Sequence, residues 1–208
     1  MRATFIITLL ACIITLLACV PAAAQEEPIP VFGTTVVISS GLRGLVYHIP
    51  RNSTHLPDFE KLKPAGPPIY TSSLFVPAQD FRQGFPGVTD RIEWFAIDYT
   101  GRFWITKSGA YRFNMMSDDG AKLYIDDEVV IDNDGLHAPI WRDGTVELAD
   151  GLHRIRVSYF QGPKWAIALV LKVSPPGQPL RVFSTDEFKP PPDAGEWHFT
   201  DKPGTEQK

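Results

Sequence analysis

The sequence predicts an all-β domain, an antiparallel sandwich or barrel, on three observations. Short segments of alternating apolar and polar residues recur about every eight to twelve residues. Gly, Asp, Asn and Ser punctuate them as turns. No segment carries the period of an amphipathic helix.

The elements follow in order. Met1-Arg2 and the apolar run after it, broken at Pro21 and followed by Ala22-Ala23-Ala24, predict an export signal over residues 1–24. The apolar run is at the short edge of the roughly 17–25 residues that span a bilayer. An alternative end lies before Cys19, because Leu16-Leu17-Ala18-Cys19 resembles a bacterial lipobox whose cysteine is acylated. Both cysteines, Cys12 and Cys19, fall inside the signal, so the exported domain is expected to stand without disulfides. Residues 25–40 form a leader with one possible strand at 34–38, and residues 41–188 form the β domain. Between Arg51 and Arg91 runs a long Pro- and Gly-rich connection, expected to be functional or packed as an ordered loop.

Strand alternation is clearest beyond residue 100. Phe103-Trp104-Ile105 reads as a strand with Trp104 in the core. After the Lys107-Ser108-Gly109 turn, Tyr111, Phe113 and Met115 share one face. Residues 122–125 and 129–132 flank Asp126-Asp127-Glu128, a predicted three-residue hairpin loop. Beyond Asp150-Gly151, Ile155, Val157 and Tyr159 point inward while Arg154, Arg156 and Ser158 point outward. Residues 166–173 are apolar on both faces, which predicts a covered, central strand. Residues 189–208 read as a flexible Pro-rich tail.

Charge excludes some partners. The chain has 20 basic and 24 acidic residues, and loss of the signal removes one base, Arg2, and no acid. With no basic cluster, neither nucleic acid nor an anionic membrane surface is an expected partner. Membrane contact is expected only through a lipid anchor at Cys19. No nucleophile elbow, metalloprotease, phosphate-loop or dinucleotide signature occurs, so the chain is expected not to be an enzyme. His137 and His153 are expected to be structural, hydrogen-bonded side chains.

The acidic residues are concentrated. Ser117 to Gly135 carries seven carboxylates in nineteen residues, clumped at Asp118-Asp119, Asp126-Asp127-Glu128 and Asp132/Asp134. Crowded aspartates suit a hard cation with oxygen ligands, and they equally suit solvated turns. The EF-hand spacing is absent, because Gly135 at its sixth position would put Trp141 where a carboxylate is needed. Of the five tryptophans, Trp141 and Trp165 lie at or beside loops, where a ring can stack on a sugar or cap the sandwich.

In order, the chain carries a Gly-x-Phe strand at 101–103, Ser-Gly-x-Tyr-x-Phe at 108–113 and the Ser117-Asp118-Asp119-Gly120 turn. Asp-x-Asp-Gly-x-His at 132–137 and Gly-x-His from Gly151 follow. This series resembles the PA-fourteen domain family, named after anthrax protective antigen. The segment around 85–101 resembles its fibro-slime variant.

The resemblance implies a β-sandwich and, as in the sugar-binding members, Ca²⁺ held by two consecutive aspartates joined by a cis peptide. Asp118 and Asp119 match that pair. The family's further ligand comes from a late loop, here Gln161-Gly162-Pro163-Lys164-Trp165, which has neither Asn nor Asp. Gln161 would stand in as metal ligand, with Lys164 and Trp165 lining the ligand pocket.

The expected function is thus an exported, non-catalytic carbohydrate-binding module with a Ca²⁺-dependent surface site. Its partner would be a glycan or cell-surface polysaccharide, in the periplasm, at the outer membrane or outside the cell. A structural or adhesive envelope protein that contacts other envelope proteins is the alternative, and a hydrolytic role ranks below both.

Overall fold

The computed structural model describes residues 41–82 and 88–191. The predicted signal with its Cys19 alternative, the leader strand at 34–38 and the tail beyond residue 191 lie outside the described residues. Among those described, eleven strands make two antiparallel sheets. They are β1 (Leu42–His48), β2 (Ile69–Thr71), β3 (Phe75–Asp80), β4 (Phe95–Ile105), β5 (Gly109–Asp118) and β6 (Ala121–Ile125). The remainder are β7 (Glu128–Asn133), β8 (Ile140–Leu148), β9 (Gly151–Gln161), β10 (Ala166–Ser174) and β11 (Arg181–Val182). One sheet runs β2-β1-β4-β9-β6-β7; the other runs β11-β10-β5-β8, with β3 also paired to β10. This is the predicted β-sandwich, and no described helix is long and apolar enough to cross a membrane.

Strand parity builds the core. In β4, Tyr99, Phe103 and Ile105 are buried, whereas Trp104 is only half-buried on the opposite side with Arg102. The expectation that Trp104 is a core residue is therefore corrected: its neighbours Phe103 and Ile105 hold the inward positions, and alternate side chains of a strand face opposite ways. In β9, Ile155, Val157 and Tyr159 point inward as expected. Strand β10 is central, paired with β5 on one side and with β3 and β11 on the other. Its outward Ala168 and Val170 are covered together with Met116 and Phe75, which explains its two apolar faces.

The β6–β7 turn holds two residues, not three, since Ile125 pairs with Glu128. Asp126 and Asp127 both adopt positive φ, at 50° and 70°. Two-residue hairpins favour that conformation at both central positions, and Asp tolerates it better than most residues. Where β7 crosses β8 the sheets close tightly: a Cβ on Gly144 would lie 2.1 Å from the Val130 carbonyl oxygen. Gly144→Ala is expected to cost about 1–3 kcal/mol through overpacking, read as a lower midpoint in chemical denaturation with an unchanged slope.

The described part of the long connection is an ordered cover. After β1 it makes a single 3₁₀ turn, Phe59–Lys61, capped by Asp58, and then supplies β2 and β3. Its Leu56, Phe59 and Leu62 pack on Tyr47, Ile49, Trp94, Ala96 and Phe160, a second apolar cluster on the outer face of the six-stranded sheet. The Leu56 amide donates to Asp134 Oδ1 at 2.8 Å, and the Ala65 amide donates to the Val46 carbonyl at 2.7 Å. Ser158, outward-pointing by parity, is consequently buried.

Candidate functional site

One end of the sandwich gathers the ends of β5 and β9 and the starts of β4 and β6. There β5 finishes at Asp118, in register with Ala168 of β10. The Asp118–Asp119 peptide is cis. Both aspartates are only 6% exposed.

Two segments distant in sequence hold the pair, the end of β9 around 159–162 and the loop at His137. Asp119 Oδ2 accepts the Gly162 amide at 2.7 Å, and Oδ1 accepts the His137 amide at 3.2 Å. The Tyr159 hydroxyl donates to the Asp118 carbonyl at 2.7 Å. The His137 ring closes its own loop, with Nε2 and Nδ1 each 2.9 Å from a carbonyl oxygen, those of Asn133 and Ala138. His153, remote from this end, bridges Asp126 and the Ala149 carbonyl. Both histidines thus have the structural roles expected of them.

Two glycines are required by close approach. A Cβ on Gly120 would lie 2.4 Å from Phe160 Cε1 and 2.7 Å from the Gly135 nitrogen. A Cβ on Gly162 would lie 2.9 Å from Asp119 Oδ2 and 2.5 Å from Leu136 Cδ2. The second contact places Leu136, which is 43% exposed, at the rim of the site.

The electrostatics are one-sided. Burial, then the neighbouring Asp119 charge, pushes the Asp118 carboxyl up to about 6, against the pull of His137 and a Gln161 hydrogen bond. Burial also raises Asp119, opposed by the Gly162 and His137 amides. Among the described residues neither carboxylate forms an ion pair, so the pair's negative charge has no cationic partner within 4.0 Å. No group of three or more His, Cys, Asp or Glu side chains among the described residues is arranged to hold a metal. A cation here would take the two carboxylates, whose oxygens keep lone pairs beyond those given to the amides. Backbone carbonyls, water or a ligand's hydroxyls would supply the rest of a six-to-eight-oxygen shell. The donor set fits a hard cation on those terms.

The late loop is only partly as the sequence suggested. Gln161 stands beside the pair but is fully buried and turned inward. Its Oε1 shares the single Tyr159 hydroxyl proton with the Asp118 carbonyl, and its Nε2 donates to the Pro163 and Ala166 carbonyls, each at 3.0 Å. In this arrangement it braces the 162–166 loop. Lys164 and Trp165 lie exposed at the tip of that loop, Trp165 at 80%. Trp141 lies within β8 rather than in a loop, 41% exposed, with Lys172 Nζ 4.7 Å from its ring centre. Sequence reasoning missed Gly162 and His137 as supports of Asp119, because their backbone amides do the holding.

Comparison with known proteins places the fold. The PA14 domain model matches residues 86–198. No curated protein sequence matches the chain. Among solved structures, a PA14 sugar-binding domain from an RTX adhesin shares 19% identity, covering 72% of this chain and 97% of its own, with a TM-score of 0.57. The epithelial adhesin 9 A domain from Candida glabrata, in complex with Galβ1-3GlcNAc, shares 13% identity over 75% and 92% of the two chains, with a TM-score of 0.55. An anti-sigma factor domain-containing protein shares 19% identity with a TM-score of 0.58; 81% of this chain aligns with it and spans 50% of its length. The family model covers more than half of the sequence and the sandwich superimposes on these structures: the chain belongs to the PA14 domain family.

Proposed function

We propose that the chain is an exported, non-catalytic carbohydrate-binding module whose Asp118 and Asp119 hold Ca²⁺, with the ion in turn ligating the hydroxyls of a cell-surface glycan. The observation that carries this reading is the buried carboxylate pair, which has no ion-pair partner among the described residues and lies against the loop that bears the exposed Trp165. Vicinal hydroxyls suit the open positions of a flexible calcium shell. Trp165 supplies a face for the sugar ring and Lys164 a donor at the same rim. Gln161 acts by closing the loop that carries them, and its oxygen reaches the ion directly only on leaving Tyr159. The reading is supported by relatives of the same fold, one named as sugar-binding and one solved with a galactoside.

The test is a thermal-shift titration with Ca²⁺ and with a chelator, repeated on a glycan array. Ca²⁺ at a hundred times its Kd is expected to stabilise the fold by about 2.7 kcal/mol. Asp119→Ala is expected to abolish both that response and glycan capture. A wild-type protein whose melting is indifferent to Ca²⁺ would favour an envelope contact module with solvated acidic turns instead.

A further inference from the structure

We infer that the cleft between the 56–60 segment and strands β6 and β9 is a second ligand site, taking a single neutral sugar ring without a metal ion. It lies on the outer face of the six-stranded sheet and has a volume of about 230 Å³. Pockets for drug-sized ligands run to roughly 300–1,000 Å³, so this one suits a monosaccharide unit. None of the residues lining it belongs to the Asp118–Asp119 site.

The cleft is a built site. Its centre is Arg156, whose guanidinium carbon lies 5.6 Å from the Phe59 ring centre and 5.3 Å from that of Tyr124. Arg156 Nε donates to Asp98 Oδ1 at 2.8 Å, and Ser158 Oγ donates to the same oxygen at 2.7 Å. Two rings and a carboxylate therefore fix the guanidinium before any ligand arrives, which lowers the entropic cost of binding. Phe59 is itself held edge-on by Tyr47 at 5.1 Å. Asp134 fastens the segment through the Leu56 amide.

The chemistry selects the ligand class. Arg156 retains its terminal N–H groups as donors, Tyr124 offers a hydroxyl, and Glu60 supplies an acceptor at the exposed lip. Sugars match this mixture, with hydroxyls that donate and accept and a C–H face that packs on an aromatic ring. An anion does not match it. Arg156 is neutralised by Asp98 and Lys61 by Asp58 at 2.8 Å, while Glu60 adds a negative charge.

The test is an amide-resolved NMR titration of the protein in a chelator, using D-glucose, D-galactose, D-mannose and N-acetyl-D-glucosamine separately. A dozen heavy atoms at ordinary ligand efficiency give a Kd of ~1 mM. At least one sugar is expected to produce saturable shifts at Phe59, Glu60, Tyr124 and Arg156, retained in Asp119→Ala. Tyr124→Ala is expected to weaken binding at least ~10-fold, as loss of a central contact does, and Glu60→Ala, at the exposed lip where folding is not at stake, by roughly 3-fold, as loss of one hydrogen bond does. The inference is overturned if none of the four sugars saturates these signals, if the shifts require Ca²⁺ or Asp119, or if both cleft variants bind as the parent does. Because the chelator silences the cation site, failure here leaves the Asp118–Asp119 reading untouched, and the converse holds.

Discussion

In a chelator at pH 7.5, Asp118→Asn is expected to melt at a higher temperature than the parent protein. The folded chain keeps the Asp118 proton up to about pH 6, whereas the unfolded chain releases it near the ordinary 3.8. Between those values folding takes up a proton, so stability falls as pH rises. The contribution is fully present below the unfolded value and lost above the folded one. The displacement from 3.8 to about 6 corresponds to a penalty on the order of 3 kcal/mol at neutral pH. Asn has nearly the same shape and no charge to desolvate, so the variant should recover about 2–3 kcal/mol and flatten the pH profile between 4 and 6. Asp119, also raised by burial, works in the same direction in both proteins. Under the proposed function, added Ca²⁺ should reverse the ranking, because the ion would take both carboxylates in the parent and only one in the variant. Melting curves at pH 5 and pH 7.5, each with chelator and with Ca²⁺, give the comparison. A variant less stable than the parent in chelator would show that the pair's charge is compensated in the fold.

Phe183→Ala is expected to have the largest destabilising effect, lowering the melting temperature by on the order of 10 °C. Phe183 is fully buried beside the short β11, with its amide bonded to the Leu171 carbonyl at 2.9 Å. Its ring meets Phe103 edge-on at 5.6 Å, stacks on Phe188 at 5.4 Å and tilts against Phe113 at 6.3 Å. Truncation removes these contacts and leaves a cavity that rings from both sheets cannot collapse into. Phe-to-Ala changes in such settings cost about 3–5 kcal/mol. Calorimetry checks it, and a shift of only a degree or two would mean that the 181–188 segment folds back without holding the sheets.

The architecture was legible where one face is buried and the other is wet. In β9 and β4 the alternation follows from burial, and the apolar character of both faces of β10 announced a central strand. Strands β2 and β3 were not legible. Pro67-Pro68 precedes one and Pro77 lies within the other, and proline reads as punctuation unless the strand is short or at an edge. Trp104 misled because aromatic size suggests burial, while parity with Phe103 decides it.

The site divides in the same way. Asp118-Asp119 stood out through clustering and resemblance to the PA14 pattern. Their supports did not, since a backbone N–H looks identical at every non-proline position. Gly162 left the faintest trace, a glycine whose missing Cβ makes room for Asp119. The outer cleft was hidden for another reason: Phe59 and Arg156 are nearly a hundred residues apart, and only the folded cover brings them together.

The amide cradle around Asp119 has a consequence for how such a domain can diversify. Its grip depends on main-chain donors, so side chains at 136, 164 and 165 are free to be exchanged without disturbing the carboxylates. A library randomised at those three positions should yield proteins that differ in taste while sharing one anchor.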